Sequence, residues 1–171
     1  AEKAALDLGL ANSYPNIEGV QSVKNEIARF AKLFINLDVS PLNCVPTSGG
    51  MQGSFAALLA AGRTNPQKPY TLFIDPGFPV NKSQLHLLGL PFKSFDILNF
   101  RGEKLRAKLE SYLLENNVCT ITYSSPNNPS WISLSEEELQ IIGELATKHD
   151  AIVVEDLAYF GMDFRKDYGK S

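Results

Sequence analysis

Hydrophobic residues along the chain follow two different periodicities. Between residues 19 and 36 they recur every three or four positions, at Val20, Val23, Ile27, Ala31 and Phe34, which predicts an amphipathic helix. Four short apolar runs rich in β-branched and aromatic residues predict strands instead, over residues 70–75, 91–97, 118–124 and 151–156. The chain therefore combines helices with strands.

Helical patterns lie between the predicted strands. They cover residues 54–63, 80–89, 102–116 and 135–149, and the last begins with a capping box of Ser135 and Glu138. This alternation predicts an α/β fold, a three-layer α/β/α sandwich around a mostly parallel sheet. Such sheets bind ligands beyond the carboxyl ends of their strands. The residues that directly follow each apolar run are therefore the candidates for chemistry.

Composition and charge narrow the class of protein. The 171 residues are 44% hydrophobic, which suits the buried core of one domain. The 16 Lys and Arg residues against 19 Asp and Glu give a net charge of −3 without a basic run, which argues against nucleic-acid and anionic-membrane partners. Because no long apolar stretch and no signal-peptide pattern occurs, we expect a soluble, cytoplasmic protein.

Cysteine and histidine give no sign of a metal site. Cys44 and Cys119 are the two cysteines, and one lies in an apolar strand pattern, so we expect buried free thiols. His86 and His149 lie in helical patterns without Cys or carboxylate partners at ligand spacing. We expect both histidines to be structural.

The segment TSGGMQG, residues 47–53, precedes a predicted helix. Its glycines allow a sharp turn, and the N–H groups at the helix amino terminus suit one phosphate. A dinucleotide-binding site is the second interpretation of this segment. Gly50 and Gly53 fit the last two glycines of G-x-G-x-x-G, and Asp75 ends the next strand. Ser48 replaces the first glycine and weakens that motif. A turn without a ligand is the third interpretation.

Three further segments at strand ends carry candidate side chains. Phe78 in DPGFP suits stacking on a flat heterocycle as well as core packing. Asn128 belongs to a pair of amides in SSPNNP, directly after a strand. Glu155 and Asp156 end the last strand with side chains on opposite faces, and a buried acid there requires a cation or donors. Tyr159 either supplies a phenol to the same crevice or packs in the core.

Taken in order, these segments resemble the fold-type I pyridoxal-phosphate enzymes, specifically the class I and II aminotransferases. That family carries a Thr-x-Gly turn, a Pro-x-aromatic-Pro segment, an Asn-Pro segment and an Asp-x-x-Tyr segment, which match TSGGMQ, PGFP, NNP and EDLAY. The resemblance runs from about residue 14 to the carboxyl terminus. It implies the large domain of a PLP-transferase fold, pyridoxal 5′-phosphate as cofactor, and amino-group transfer between an amino acid and a 2-oxo acid.

The resemblance also assigns roles to residues around the phosphate and the ring face. The backbone N–H groups of Gly50 and Met51 would bind the phosphate, with Gln52 close by. Phe78 would stack on the ring. The family segment Tyr-x-x-Ile-x-Gly matches YPNIEG, so Tyr14 would reach the phosphate of the second subunit of a homodimer. A surface tyrosine in an amino-terminal arm is the alternative for Tyr14.

At the ring edge, the resemblance places three side chains. Asp156 would pair with the pyridinium N–H, and the opposite charge would favour the protonated ring. Asn128 and Tyr159 would donate to the phenolate oxygen. The family often has a cis bond before this proline, so we expect Asn128–Pro129 to be cis. Ser130 and Trp131 replace the usual Thr-Gly, so we expect a different loop geometry.

The Schiff-base lysine of the family follows the Asp-x-x-Tyr segment by a few dozen residues. Here 12 residues follow Tyr159, and Lys166 and Lys170 are too close and too polar for that role. We therefore expect an amino-terminal arm over residues 1–18 and part of the large domain over residues 19–171. The small domain and the lysine would lie beyond the chain, which by itself would be inactive.

Two functions from other classes remain open. One is a Rossmann-like dinucleotide-binding domain that uses the glycine turn and Asp75. The other is a non-catalytic assembly module that retains the fold. Within the resembled family, lyase, decarboxylase and racemase chemistry use the same cofactor residues, so the sequence does not identify the substrates.

Overall fold

The computed structural model describes residues 2–9, 12–115 and 117–162. The chain divides into two compact units, Ala1–Thr47 and Ser48–Ser171. The first unit contains helix α1 (Glu2–Asp7), helix α2 (Gln21–Ile35) and a 3₁₀ turn over Pro41–Asn43. The helix predicted over residues 19–36 is confirmed, whereas no sequence pattern predicted α1 or the turn.

Helix α2 carries an apolar stripe that is largely exposed in the described residues. Val23, Ile27, Phe30 and Phe34 are all at least partly open to solvent. The helix ends at Asn36, whose φ of 50° lies in the left-handed region and whose N–H bonds to a carbonyl of the last turn. Asparagine tolerates this conformation better than most residues, which explains the stop.

The second unit contains four strands and four helices among its described residues. In chain order they are α3 (Gly50–Ala61), β1 (Tyr70–Asp75), α4 (Pro79–Leu87), β2 (Phe92–Asp96), α5 (Lys104–Glu115), β3 (Val118–Ser124), α6 (Glu136–Lys148) and β4 (Ile152–Asp156). Every strand and helix predicted in this part of the chain is present. Helix α3 begins four positions earlier than predicted, at Gly50 instead of residue 54.

The four strands form one sheet in the order β2-β1-β3-β4, and all three pairings are parallel. This arrangement confirms the predicted α/β fold with a parallel sheet. The carboxyl ends of β3 and β4 are in register, with Ser124 opposite Asp156 and Thr122 opposite Val154. Side chains that follow these two strands therefore meet at one edge of the sheet.

The two faces of the sheet bury different sets of residues. The packed face, beneath α5 and α6, holds a large cluster: Leu72, Ile74, Phe95, Ile97, Leu105, Leu109, Leu113, Val118, Ile121, Tyr123, Ile141, Ile142, Leu145 and Ala146. The open face, beneath α3 and α4, holds a small cluster of Leu58, Phe73 and Leu85. Helices thus cover both faces of the sheet, as the predicted three-layer arrangement requires.

A buried carboxylate joins α6 to the segment before α5. The predicted capping box is present, since the Ser135 hydroxyl accepts from Glu138 N and the Glu138 carboxylate accepts from Ser135 N. Glu138 also accepts from Gly102 N and from Nε and Nη2 of Arg101, at 2.6 to 2.8 Å. Burial alone would raise the pKa of Glu138, but these hydrogen bonds hold it below its usual value.

Two further observations concern the cysteines and the hydrophobicity of the helices. Cys44 and Cys119 are buried, free thiols, as expected. Among the described residues, none of the helices combines the length and hydrophobicity that crossing a membrane requires.

Candidate functional site

A cavity of about 200 Å³ lies on the open face of the sheet, between α3 and the carboxyl ends of β3 and β4. Its walls are formed by Gly50, Gly53, Ser54, Ala57, Leu58, Asn81, Thr122, Val154, Glu155, Asp156 and Leu157. The cavity therefore has the first turn of a helix on one side and the carboxyl end of a parallel strand on the other. This is the position where sheets of this kind bind ligands.

The first turn of α3 is formed by the glycine segment. Gly49 is the N-cap, with a φ of 104° that glycine adopts readily, and it offers no side-chain cap. Because the helix begins at Gly50, the N–H groups of Gly50, Met51 and Gln52 belong to the first turn, which lacks carbonyl partners within the helix. A Cβ added at Gly49 or Gly50 would meet no atom within 4 Å, so the space beside this turn is open.

Two glutamines support this turn from opposite sides. Oε1 of Gln52 accepts from Ser48 N at 2.6 Å and so bridges the start of the turn. Nε2 of Gln84, on α4, donates to the Met51 carbonyl at 3.1 Å, and the same carbonyl accepts from Ser54 Oγ. Gln84 has no local sequence signal for this role, because it lies 33 positions from the carbonyl that it binds.

Asp156 forms the opposite wall of the cavity, at the end of β4. Its Oδ1 accepts from Ala158 N at 2.9 Å, which fixes the orientation of the carboxylate. The neighbouring Glu155 also borders the cavity, but it pairs with Tyr123, a residue of the packed face, and its carboxyl group interacts with that phenol. Burial raises the pKa values of both Tyr123 and Glu155. The two acids therefore face opposite sides of the sheet, as the strand alternation predicted.

The two adjacent asparagines have different surroundings. Asn127 is buried, and its amide nitrogen donates to the Pro76 carbonyl and to Ser124 Oγ. Its Oδ1 accepts from the backbone N and the Oγ of Ser130, so Asn127 holds the loop together. Asn128 is half-buried, and within the described residues no hydrogen bond is formed by its amide. The Asn128–Pro129 bond is cis, as expected.

Tyr159 packs against the residue that departs from the family pattern. The rings of Trp131 and Tyr159 lie 5.6 Å apart at an angle of 70°. Trp131 has a φ of 59°, a left-handed conformation that glycine adopts without strain. A tryptophan therefore occupies a backbone position suited to the glycine found there in the resembled family, and its ring contacts Tyr159.

Other candidates lie away from the cavity walls. Phe78 is the N-cap residue of α4 and is 36% exposed, and it is not among the residues that line the cavity. Tyr14 is fully exposed in the Ala1–Thr47 unit. Lys166 and Lys170 lie outside the described residues. Of the residues to which the resemblance assigns a role at the cofactor, Gly50 and Asp156 thus line the cavity.

Asp75, the acid required by the dinucleotide interpretation, has a cationic partner. Its Oδ2 accepts a hydrogen bond from Lys82 Nζ on α4, and both side chains are more than two-thirds buried. An acid that binds a ribose hydroxyl needs a free oxygen at the cavity, whereas Asp75 is not among the cavity-lining residues. The geometry therefore favours the phosphate interpretation of the glycine turn over the dinucleotide one.

The model of the family "Aminotransferase class I and II" matches residues 1–169. The chain belongs to this family. The match spans the glycine turn, the cavity and β4 together, so the cavity lies in a class I and II aminotransferase fold.

Individual relatives agree with the family assignment. A "Probable kynurenine--oxoglutarate transaminase" of Saccharomyces cerevisiae is 24% identical, over 96% of this chain and 38% of its own length. An aspartate aminotransferase of Pyrococcus abyssi is 28% identical, over 92% of this chain and 40% of its own length. The solved structure of YbdL from Escherichia coli, described as having a methionine aminotransferase function, superposes with a TM-score of 0.83 at 20% identity, over 99% of this chain and 43% of its own. The aminotransferase-family chain thus spans about two fifths of the curated relatives' length.

Proposed function

We propose that this chain is the cofactor-binding part of a pyridoxal-phosphate-dependent aminotransferase, which transfers an amino group between an amino acid and a 2-oxo acid. The observation that carries the proposal is the cavity with the first turn of α3 at one side and Asp156 at the other. A phosphate fits a helix amino terminus, and a protonated ring nitrogen fits a carboxylate. Pyridoxal 5′-phosphate carries both groups on one flat ring.

The chemistry of the cavity walls supports this fit. The open space beside Gly49 and Gly50 admits an anion close to the backbone N–H groups. Ala57, Leu58, Val154 and Leu157 provide apolar surface for the faces of a ring. When bound, the cofactor supplies an aldehyde and an electron-withdrawing ring.

The residues of the chain would then act by binding and orientation. The first turn of α3 would bind the phosphate, and Gln84 would hold that turn in place through the Met51 carbonyl. Asp156 would keep the proton on the ring nitrogen, which favours electron withdrawal from the reacting carbon. The fixed Asp156 Oδ1 makes this a preorganised interaction.

Four further roles extend the proposal. Phe78 would stack on the ring, and Asn128 and Tyr159 would donate to the ring oxygen. The amide of Asn128 forms no hydrogen bond with a described residue, which supports such a donation. Tyr14 would bind the phosphate of the second subunit in a homodimer. The roles of Phe78, Asn128 and Tyr159 require the segments after β1, β3 and β4 to bring these side chains to the ring.

We further propose that the 171 residues alone do not catalyse transamination. The lysine that binds the cofactor aldehyde in the resembled family would lie beyond residue 171, together with the small domain. Without an amine to hold the aldehyde and move the proton, the chain would bind the cofactor non-covalently. Catalytic turnover by the purified 171-residue chain with added cofactor would contradict this part of the proposal.

The test is chemical trapping in the complete polypeptide that contains these residues. We expect borohydride reduction in the presence of pyridoxal 5′-phosphate to leave a pyridoxyl group on one lysine, a few dozen residues after Tyr159, detectable by peptide mass spectrometry. A matched sample without borohydride should show no adduct. Reduction that labels no lysine, or labels surface lysines at random, would overturn the proposal and favour a non-catalytic assembly module.

A further inference from the structure

Two buried polar side chains line the cavity without a partner from the described residues. Asn81 is 8% exposed and Thr122 is 3% exposed, and both belong to the cavity walls. Neither the Asn81 amide nor the Thr122 hydroxyl forms a hydrogen bond with a described residue. Burial of polar groups is unfavourable unless they form hydrogen bonds. Both groups therefore require a hydrogen-bond partner inside the cavity.

The two side chains come from different elements and reach the same place. Asn81 lies in the first turn of α4, and Thr122 lies near the carboxyl end of β3. Thr122 pairs with Val154, and strand alternation puts it on the same face of the sheet as Asp156. Asn81 and Thr122 therefore line the cavity together with Asp156, the acid already assigned to the ring nitrogen.

Other buried polar residues of the same unit behave differently. Thr120 is completely buried on the same face of β3, but its hydroxyl contacts Cys119 Sγ at 3.3 Å. Asn127 is buried with both ends of its amide bonded to the protein. The hydroxyl of Thr71 is buried and without a partner among the described residues, but Thr71 is not one of the residues that line the cavity. Asn81 and Thr122 combine the missing partner with an open cavity.

We propose that Asn81 and Thr122 are further ligand-binding residues, which form hydrogen bonds with the polar edge of the heteroaromatic ring beside Asp156. This rests on the proposed function, because it needs that ring in the cavity. The apolar walls contact the faces of the ring, and the two polar side chains select a ring whose edge carries hydrogen-bonding atoms. A hydrocarbon ring of the same size would leave both groups unpaired.

The test measures binding of pyridoxamine 5′-phosphate, which carries the ring and the phosphate and needs no lysine. Trp131 is the single tryptophan of the 171 residues and contacts Tyr159, so quenching of its emission reports ring binding. We expect Asn81→Leu and Thr122→Val each to raise the dissociation constant about tenfold, as loss of one buried hydrogen bond implies. Thr122→Ser keeps the hydroxyl and should restore binding.

Two controls separate a lost hydrogen bond from a damaged fold. Thr120→Val removes a hydroxyl from the same face of β3 but outside the cavity, and should leave the dissociation constant unchanged. Inorganic phosphate, used as a competitor, occupies the turn of α3 without a ring, so its inhibition constant should be the same in all variants. Circular dichroism spectra should coincide.

The outcomes distinguish the two proposals. If the unsubstituted chain fails to bind pyridoxamine 5′-phosphate, the cofactor site of the proposed function is wrong. If the unsubstituted chain binds and both Asn81→Leu and Thr122→Val bind within twofold of it, the inference about the ring edge is overturned alone. Equal weakening of phosphate and pyridoxamine 5′-phosphate binding would also overturn it, because the ring would then not be what the two residues contact.

Discussion

The two faces of the sheet are built from the same strands but are filled to different extents. The packed face buries a continuous apolar cluster beneath α5 and α6. The open face buries Leu58, Phe73 and Leu85 and leaves a cavity of about 200 Å³ beside Asp156. The difference shows that one face supplies most of the buried apolar area, while the other retains space for a ligand.

Alternation along one strand explains how β3 serves both faces. Ile121 and Tyr123 point into the packed cluster, whereas Thr120 and Thr122 lie on the open face. Threonine shares the β-branched shape that suits a strand, but it is smaller than the residues opposite and brings a hydroxyl. The same seven-residue strand therefore provides core packing on one side and polar groups on the other.

The largest expected effect comes from truncating a leucine on each face. Leu109 and Leu58 are both 0% exposed, on the packed and open faces respectively. We expect Leu109→Ala to lower the free energy of unfolding by about 4 kcal/mol, because its close-packed neighbours cannot fill the new space. Leu58→Ala should lower it by about 2 kcal/mol, since Leu58 already borders a cavity. Urea denaturation of both variants measures this difference. Equal losses of unfolding free energy would show that the two faces do not differ in packing around these leucines.

The next effect concerns the buried carboxylate of the packed side. Glu138 is 1% exposed and accepts hydrogen bonds from Arg101, Gly102 N and Ser135 N. Glu138→Gln removes the charge and places an amide donor where only acceptors fit, so we expect a loss of about 2–3 kcal/mol. Gln140, on the solvent side of the same helix, is a control position, and Gln140→Glu should change stability by less than about 0.5 kcal/mol.

The contribution of Glu138 to the stability of the fold should decrease as the pH falls. Its pKa is lower in the folded state, so its contribution to stability is present above the unfolded value of about 4.3 and is lost as pH falls through the folded pKa. Urea midpoints between pH 3 and pH 7 should therefore fall more steeply toward low pH in the unsubstituted chain than in Glu138→Gln. Parallel profiles would show that the carboxylate is not the group that titrates.

Much of this fold follows from local sequence patterns. The strand at residues 118–124 and the helix that starts after Ser135 were both predictable, because hydrophobic periodicity and a capping box are local signals. The start of α3 was misplaced, because two glycines in a first turn look like a loop when their tertiary setting is unknown. Helix α1 has too few turns to show a periodicity.

The candidate site was only partly predictable for a similar reason. Gly50 and Asp156 follow strand and helix boundaries, so sequence reasoning identified both. Asn81 and Thr122 lie inside regular elements, where a buried polar residue looks like an ordinary helix or strand position. Gln84 supports the turn from 33 positions away, a relation that no local pattern contains. Residues that meet only through tertiary packing required the structure.

A smaller effect tests the glycine turn on the open face. Gly49 has a φ of 104°, so Gly49→Ala should lower the free energy of unfolding by about 1–2 kcal/mol although no atom obstructs the new methyl group. Gly50 is helical and equally unobstructed, so Gly50→Ala should be neutral or raise stability by about 0.5 kcal/mol. Thermal or urea unfolding separates the two variants. If both lose the same stability, the turn is not held in the left-handed conformation.

The smallest expected effect comes from Glu155, the acid that faces away from Asp156. Burial raises the pKa of Glu155, and the interaction with the Tyr123 phenol offsets this only in part. The folded state therefore holds the proton of Glu155 more tightly than the unfolded chain does.

The sign of the resulting pH dependence is opposite to that of Glu138. Stability linked to Glu155 is complete below the unfolded pKa of about 4.3 and is lost as pH rises through the raised folded pKa. Glu155→Gln removes that loss, but the Glu155 residue is exposed and water screens its charge, so at pH 7 we expect the variant to be more stable by no more than about 0.5 kcal/mol. Urea unfolding midpoints of Glu155→Gln and of the unsubstituted chain, at pH 4 and pH 7, measure this difference. The variant should have the higher midpoint at pH 7 and the same midpoint at pH 4. A variant that is less stable at pH 7 would mean that the ionised carboxylate stabilises the strand end, and the assignment of Glu155 to the packed side would then be wrong.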